Sequence, residues 1–319
     1  MSFSAEVKDE LSRHISSARH CQIAEIAAMT AMCGEIIQHE NGEFSIKLST
    51  ENESVVRKYF TLLEKTFNIY AENHHNYDDI KKGSTYTIHI DDQDTCIRIL
   101  QTLKLYENHT YSEQDELVNP ILIQQTCCRR TFIRGAFLAS GSISDPKKFY
   151  HFEIVCTSQK KAEQLRDVIN SFDVDSKIIQ RKKYFVVYIK EGTHIVDILN
   201  IMEAHVSLMQ LENVRILKEM RNSVNRQVNC ETANLNKTVE AAVKQSRDIE
   251  YIRDTIGLDG LKAGLKEVAY ARLENPDMNL KDLGMLLSPP VGKSGVNHRL
   301  RKLSEMAEHL RDTREDYQK

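Results

Sequence analysis

The sequence predicts an α+β fold in which two copies of an α-β-α-β-β-α unit form a bilobed domain and an all-helical segment follows. Two observations predict it. Stretches roughly a hundred residues apart repeat one hydrophobic pattern, and after about residue 238 no strand pattern interrupts a series of helical ones. With 319 residues, of which 41% are apolar, the chain is long enough to build two or three cores.

The duplication is clearest in YTIHIDDQDTCIRIL (86–100) and FVVYIKEGTHIVDIL (185–199), which align without gaps. Each stretch starts with alternating apolar residues and continues with a helical spacing, which predicts a strand with one buried face and then a short helix. Further upstream, 44–69 and 152–174 share a strand-then-helix pattern. We therefore expect both copies to contain the same elements in the same order.

An apolar helix that ends in glycine opens each copy, at 25–36 and 134–143. Because one copy cannot cover its own sheet, we expect the two copies to pack about a pseudo-twofold axis through these helices. Small residues would permit a close backbone approach. They are Ala27, Ala28, Ala31 and Gly34 in the first copy and Gly135, Ala136, Ala139 and Gly141 in the second.

The formal net charge of −3 is unevenly distributed along the chain. Residues 213–319 hold 19 basic and 16 acidic side chains, a balance of +3, which leaves −6 for residues 1–212. No acidic residue occurs from Leu283 through Ser304, so a polyanion would bind there in preference to the rest of the chain. The second half of this window carries four cations, Lys293, Arg299, Arg301 and Lys302.

The segment VGKSG (291–295) has two interpretations, a phosphate-binding loop or the start of a helix that reads DNA. A phosphate-binding loop requires GxxxxGK[ST] after a buried strand, since its first glycine lets the loop fold back around the phosphates. Here Leu287 occupies that glycine position. The preceding NLKDLGMLL is helical, with Asn279 as N-cap and Leu280, Leu283 and Leu287 on one stripe. The nucleotide interpretation therefore fails.

A helix-turn-helix fits the same segment, because a short amphipathic helix is followed by a turn with Pro and Gly and by a basic helix over 294–304. We expect Ser294 to cap that helix, and Val296, Leu300 and Leu303 to form its buried stripe. The residues facing away from the stripe are candidates for reading base edges: Ser294, Asn297, His298 and Arg301. Three flanking cations are candidates for phosphate contacts: Lys293, Arg299 and Lys302.

The Asn-rich stretch EMRNSVNRQVNCETANLNK (219–237) is interpreted as a connector between helices rather than as part of a core. Arg221 and Arg226 within it are further candidates for phosphate contacts, although a solvated linker or interdomain contact explains them equally well. Beyond it the pattern predicts only helices, at roughly 238–256, 259–273, 279–287 and 294–304 with a tail to about 315.

The duplicated unit, the connector MRNSVNRQVNCETANLNKT and the terminal KSGVNHRLRKL together closely resemble the WhiA family of DNA-binding proteins of Gram-positive bacteria. The similarity runs nearly end to end. It implies a bilobed domain like that of the LAGLIDADG homing endonucleases, followed by a helix-turn-helix similar to the promoter-binding region of sigma factors. Members of the family are associated with sporulation control, cell division and chromosome segregation.

The basic helix at 294–304, together with this resemblance, predicts a non-enzymatic, sequence-preferring protein that binds double-stranded DNA at the nucleoid and acts in transcription regulation. The acidic balance of the first half favours a protein partner over DNA for the N-terminal domain. The predicted segments are 1–110 for the first LAGLIDADG-like repeat, 111–213 for the second, 214–257 for the Asn-rich linker and connecting helix, and 258–319 for the helix-turn-helix domain.

The likeness to homing endonucleases raises an alternative function, metal-dependent DNA cleavage. In the LAGLIDADG motif, an acidic residue just before the final glycine of each repeat holds the divalent metal that activates water. Those positions are Cys33 and Ser140 here, and the earlier acidic position is Thr30 in the first copy and Leu138 in the second. We therefore expect no nuclease activity, no catalytic residue, no bound metal and no other cofactor.

Other potential metal sites are weaker. His74, His75, Asp78 and Asp79 are interpreted as a solvated hairpin loop, and His14, His20 and Cys21 are discounted in the same way. The cysteines include no CxxC pair and no Cys/His spacing typical of zinc, so we expect reduced and mostly buried thiols. The seven cysteines lie at 21, 33, 96, 127, 128, 156 and 230.

No membrane association is expected. The longest apolar runs fall well short of the ~20 residues of a membrane helix. The N-terminal MSFSAEVKDELS is charged and polar, unlike a secretory leader. These features predict a cytoplasmic protein.

Overall fold

The computed structural model describes residues 2–68, 85–112 and 114–316. The chain divides into two compact units, Met1–Lys218 and Glu219–Lys319. None of the described helices is both long enough and apolar enough to cross a membrane. Four residues for which we predict a solvated loop, His74, His75, Asp78 and Asp79, lie outside the described residues.

The first copy of the duplicated unit follows a short N-terminal helix. Asparagine and aspartate caps determine where two of its helices begin, because Asn52 accepts from the Ser54 N–H and Asp92 from the Thr95 N–H, each at 2.9 Å. The elements are α1 (Phe3–Arg13), α2 (Arg19–Cys33), β1 (Gly34–Gln38), β2 (Phe44–Thr50), α3 (Glu53–Phe67), β3 (Tyr86–Ile90), α4 (Gln93–Thr102) and a hairpin of β4 (Tyr106–Glu107) and β5 (Thr110–Tyr111).

The second copy has the same order of elements as the described part of the first from its opening helix through its second helix, and it then has a strand before the final strand–helix pair. Its elements are α5 (Thr126–Ser140), β6 (Gly141–Ile143), β7 (Phe152–Cys156), α6 (Gln159–Asn170), β8 (Lys177–Arg181), β9 (Tyr184–Ile189) and α7 (Gly192–Met202). The antiparallel sheet of this copy has the order β6-β7-β9-β8, and the described part of the first copy has the order β1-β2-β3. The two stretches that align without gaps in the sequence are the strand–helix pairs β3–α4 and β9–α7, as predicted.

Each copy contains a strand that the predicted α-β-α-β-β-α order omits. It follows the glycine-ended helix directly, and it pairs antiparallel with the next strand, with Gly34 opposite Leu48 in the first copy and Gly141 opposite Ile154 in the second. Because no loop separates helix from strand, no polar break in the sequence marks the start of β1 or β6. The duplicated α+β architecture is confirmed, with these two strands added.

Helices α2 and α5 pack against each other in the core shared by the two copies, as their small residues predict. Gly135 lies at a close approach between them. A Cβ atom there would come within 2.7 Å of the Glu25 carbonyl oxygen and 3.0 Å of Ala28 Cβ. This position therefore requires glycine.

The glycines that end α2 and α5 have a different function from the one predicted. A Cβ atom on Gly34 would collide with the backbone of Thr30, and one on Gly141 would lie 2.7 Å from the carbonyl oxygen of Phe137. Each clash is with the last turn of the glycine's own helix. The two glycines therefore permit the sharp change from helix to strand rather than the approach of the two helices.

A fully buried network of charges links α2, α3 and α5. One carboxylate oxygen of Glu25 lies 2.5 Å from Lys58 Nζ and 2.9 Å from Arg134 Nε, and all three side chains have no exposed surface. Lys58 also donates to two backbone carbonyl oxygens, at 2.8 and 2.9 Å. Arg134 also forms an ion pair with Glu203 at 2.5 Å. Each buried charge therefore has an opposite charge and further hydrogen bonds to compensate for its loss of water.

Helices are the only regular elements in the described part of the second unit. The helices are α8 (His205–Ile256), which begins in the first unit, α9 (Ala263–Glu274), α10 (Leu280–Met285) and α11 (Lys293–Asp316). They enclose a core of their own. Its buried members include Ile249, Ile252, Leu258, Val268, Leu283, Leu287, Val296, Leu300 and Leu303.

Two helices of this region are longer than predicted. The Asn-rich stretch 219–237 lies wholly within α8, so the expectation of a connector between two helices is wrong, and residues 221–240 are all exposed. Asn and Ser favour turns because their side chains hydrogen bond to nearby backbone, but this preference is overridden here. Similarly, α11 includes the residues predicted as a tail and continues as one helix as far as Asp316.

Candidate nucleic-acid interface

Helices α10 and α11 and the turn between them form the helix-turn-helix. Asn279 caps α10, as predicted, and its Oδ1 accepts two backbone N–H groups at 3.0 Å each. The turn is closed by the Val291 N–H, which donates to the Gly284 carbonyl at 2.9 Å. A side chain at Gly284 would collide with the Val291 carbonyl, so this glycine permits the close packing of the turn on α10.

The element before VGKSG is incompatible with a phosphate-binding loop. Leu287, at the position of that motif's first glycine, is 2% exposed and belongs to the core of the second unit. The residues before it form α10 rather than a strand. The structure therefore agrees with the exclusion of nucleotide binding at this segment.

Helix α11 begins one residue earlier than predicted. Lys293 is its first residue, and the Val296 N–H donates to the Gly292 carbonyl at 3.1 Å. Ser294 therefore lies within the first turn, and its predicted role as the N-cap is wrong. Its side chain is exposed.

One side of α11 is buried and the opposite side is exposed. Val296, Leu300 and Leu303 are 0%, 1% and 1% exposed, which confirms the predicted stripe. Because residues three and four apart share a helix face, the side chains between them project away from the core. All four candidates for reading base edges are exposed: Ser294, Asn297, His298 and Arg301.

The cations around this face differ in their exposure and in their contacts with the rest of the protein. Lys293 and Lys302 are exposed. Arg299 is half-buried, and its Nη1 donates to the Gly264 carbonyl of α9 at 3.3 Å. The remaining cation, Arg301, lies with its Nε 3.2 Å from Glu305 Oε1 in an exposed pair. Such surface pairs are weak, so Arg301 can exchange this partner for another at small cost.

Arg221 and Arg226, the two other candidates for phosphate contacts, lie on α8 and not on the helix-turn-helix. Both are exposed. The structure thus brings the four base-reading candidates together on one helix face, together with Lys293 and Lys302. It leaves the two arginines on a separate element.

The ends of α2 and α5 hold the degenerate motif positions. The Cys33 thiol donates to the Met29 carbonyl at 3.3 Å, and the Ser140 hydroxyl donates to the Val155 carbonyl at 2.9 Å. Burial raises the pKa of the Cys33 thiol to about 12, so it is uncharged at neutral pH. Both positions therefore carry neutral groups that already bond to the protein, where the motif places carboxylates.

His20 and Cys21, discounted as metal ligands from the sequence alone, belong to a group of side chains that also includes Cys127 and Cys128. At the N-terminal ends of α2 and α5, the ligand atoms of His20, Cys21, Cys127 and Cys128 all lie within 4.8 Å of one another. No other group of three or more His, Cys, Asp or Glu side chains converges in this way within the described part of the chain. A signal was available, because the two adjacent pairs occupy the same positions in helices that correspond in the two copies.

Comparisons with known proteins match three parts of the chain. Family models match the WhiA N-terminal LAGLIDADG-like domain over residues 19–106, the WhiA LAGLIDADG-like domain over 129–221 and the WhiA C-terminal HTH domain over 224–307. Two relatives named probable cell division protein WhiA come from Lachnoclostridium phytofermentans and Lachnospira eligens. They are 55% and 53% identical to this chain, over 98% of its length and 100% and 98% of theirs.

A solved structure supports the fold. The crystal structure of full-length WhiA from Thermotoga maritima matches with a TM-score of 0.60. The match covers 97% of this chain and 99% of that one at 23% sequence identity. The two proteins therefore share their architecture.

Proposed function

The chain belongs to the WhiA family, and from that premise we propose that it is a non-enzymatic, sequence-preferring DNA-binding protein that acts in transcription regulation, cell division and chromosome segregation. The helix-turn-helix would place α11 in the major groove of double-stranded DNA. Its place in the cell would be the nucleoid in the cytoplasm.

The exposed face of α11 carries this proposal. Arginine pairs with the O6 and N7 acceptors of guanine, and asparagine with the N6 and N7 groups of adenine. Asn297, His298 and Arg301 present these groups on a helix whose opposite side is anchored by three fully buried apolar residues. A rigid helix with adjacent donors is what discrimination between base pairs requires.

The surrounding cations would determine affinity rather than specificity. Lys293 and Lys302 are free to reach phosphates on either side of the groove, and Arg299 would do so only by giving up its bond to Gly264. Arg221 and Arg226 would add phosphate contacts from α8. Such contacts position a protein on DNA without reading its sequence.

The N-terminal domain would serve as a scaffold that binds a protein partner. Its sequence balance of −6 disfavours phosphate contacts, and Cys33 and Ser140 supply no charge for a catalytic metal. We therefore assign no catalytic residue and no cofactor to the proposed function. Deletion of residues 1–212 should abolish the function in cells but leave DNA binding intact.

The decisive experiment measures binding of the full chain to chromosomal DNA fragments selected by mapping its bound sites in cells. The double variant His298→Ala, Arg301→Ala should lose at least about 30-fold in affinity for a selected site, because each of the two base contacts contributes ~1–3 kcal/mol and ~1.4 kcal/mol is tenfold. Its affinity for random DNA should change far less. Arg57→Ala, which removes an exposed cation from α3, is the matched control. Unchanged affinity of the double variant for selected sites would contradict the proposal.

The alternative function is metal-dependent cleavage of DNA by a LAGLIDADG-type endonuclease. Supercoiled plasmid incubated with the purified chain and magnesium or manganese separates the two functions. We expect the plasmid to remain supercoiled, since no carboxylate occupies the motif positions. Nicking that disappears with a chelator would support the endonuclease.

A further inference from the structure

We propose that His20, Cys21, Cys127 and Cys128 bind one zinc ion, which joins the N-terminal ends of α2 and α5 and so connects the two copies of the duplicated unit. The site is independent of the proposed DNA binding. It also lies at the opposite end of the helix pair from the degenerate motif positions, since the twelve residues from Cys21 to Cys33 span about 18 Å of helix.

The distances between donor atoms agree with a tetrahedral zinc site. His20 Nδ1 lies 3.2 Å from Cys128 Sγ, 3.4 Å from Cys21 Sγ and 3.9 Å from Cys127 Sγ. Tetrahedral zinc with Zn–S of ~2.3 Å and Zn–N of ~2.0 Å requires N···S distances of about 3.5 Å and S···S distances of about 3.8 Å. The four donors all lie within 4.8 Å of one another, so small side-chain adjustments would bring them to the separations that one zinc ion requires.

The pseudo-twofold relation between the copies explains how the site arises. His20 and Cys127 are the second residues of their helices, and Cys21 and Cys128 are the third. Equivalent positions have the same burial, since His20 and Cys127 are exposed and Cys21 and Cys128 are buried. Each copy thus supplies one exposed and one buried ligand to a site on the axis between them.

The chemistry of the donors selects the metal and its function. Three thiolates and an imidazole favour zinc over magnesium or calcium, which prefer oxygen. All four coordination positions are filled by the protein, so no position remains for substrate or catalytic water. The site is therefore structural.

The helix ends favour the negative charge of such a cluster. Neither α2 nor α5 has a side chain that caps its first N–H groups. Thiolates in the first turn of a helix are stabilised by the partial positive charge of its N-terminus. The negative charge of zinc-bound cysteines at these positions would therefore interact favourably with both helix ends.

The first experiment measures metal content. The full chain, purified under reducing conditions without added metal, should contain one zinc per molecule by elemental mass spectrometry. After removal of zinc by a chelator with a reductant, cobalt(II) should restore the visible absorption of a tetrahedral cobalt–thiolate site and saturate at one equivalent. The zinc-free chain should also unfold at a lower temperature.

Variants test whether these four residues hold the metal. Cys127→Ser and Cys128→Ser should each lose zinc and the cobalt spectrum, whereas Cys230→Ser, an exposed cysteine on α8, should retain both. His20→Cys should retain zinc, because a fourth thiolate replaces the imidazole. Circular dichroism checks that each variant is folded, and the exposed positions of His20 and Cys127 make those two variants the most tolerant.

Three results would overturn the proposal. The reduced wild-type chain could fail to bind either zinc or cobalt(II). The chain could carry a disulfide among these cysteines, which mass spectrometry under non-reducing conditions detects as a loss of two hydrogen atoms. The metal could also remain bound after Cys127→Ser and Cys128→Ser are combined, which would place it elsewhere.

Discussion

Arg134 of α5 donates from Nε to Glu25 of α2 across 2.9 Å, and neither side chain has any exposed surface. Glu25 at the same time contacts Lys58 at 2.5 Å, so one carboxylate balances two buried cations. The two copies of the duplicated unit are thus joined by charge as well as by apolar packing. Buried ions of this kind are costly to separate because the remaining partner stays in a medium that solvates it poorly.

Glu25→Gln should destabilise the first unit strongly. It leaves Lys58 and Arg134 buried with less negative charge, and breaking a buried pair costs roughly 3–5 kcal/mol. The matched control is Glu53→Gln, which breaks an exposed pair with Arg57 and should cost about 0–1 kcal/mol. Denaturant unfolding of both variants measures the difference. Equal unfolding free energies would contradict the importance of the buried network.

Gly135→Ala should lower stability although alanine favours helix. The new methyl group would meet the Glu25 carbonyl and Ala28, and overpacking of this kind costs about 1–3 kcal/mol. Gly192→Ala at the start of α7 is the control, since its methyl group would lie 3.5 Å from the nearest atom of Tyr150. Thermal unfolding should show a lower midpoint for the first variant only. A gain in stability of the Gly135→Ala variant would show that α2 and α5 can move apart to accommodate the methyl group without cost.

Lys293→Ala and Lys302→Ala should each weaken binding to all DNA sequences and flatten its salt dependence. Every phosphate contact releases condensed counterions, so the slope of log K against log salt should fall by about 0.9 for each lysine removed. Anisotropy titrations with selected and random DNA over a range of salt concentrations give the slopes. Arg57→Ala should leave them unchanged. A loss confined to the selected sequence would assign the lysines to base reading instead.

Amide protons of residues 221–240 should exchange with solvent much faster than those of α5. This part of α8 is exposed on all sides, so no tertiary packing stabilises it. Helix propensity alone gives a helix only marginal stability in water. The buried residues of α5 exchange only when the core of the first unit opens. Hydrogen exchange followed by mass spectrometry compares the two segments directly. Equal protection of the two segments from exchange would indicate that a binding partner covers this part of α8.

Periodic patterns in the sequence are sufficient to predict much of this structure. The stripe of Val296, Leu300 and Leu303 and the alternation in β3 and β9 each report a buried face, and the structure places those faces in a core. The same patterns predicted which side of α11 would face solvent. These predictions succeeded because burial imposes a period of 3.6 or 2 on the sequence.

Features without such a period were missed. β6 has only three residues and follows α5 without a break, so nothing distinguishes it from the helix end. α8 passes through a stretch whose Asn and Ser residues favour turns. The ligands of the proposed zinc site are adjacent within each helix and are brought together only by tertiary packing, so no spacing within one segment reveals them.

The two halves of the first unit carry different side chains at equivalent positions of the interface between α2 and α5. This difference restricts how the halves can associate. When α2 and α5 are aligned from their first residues, Ala27 is the equivalent of Arg134 and Phe132 is the equivalent of Glu25. The acid therefore belongs to one half and the base to the other. Two identical second halves would place two arginines at the interface with Glu203 but without Glu25, and two first halves would lack the arginine altogether. The Glu25–Arg134 pair can therefore form only between two unlike halves.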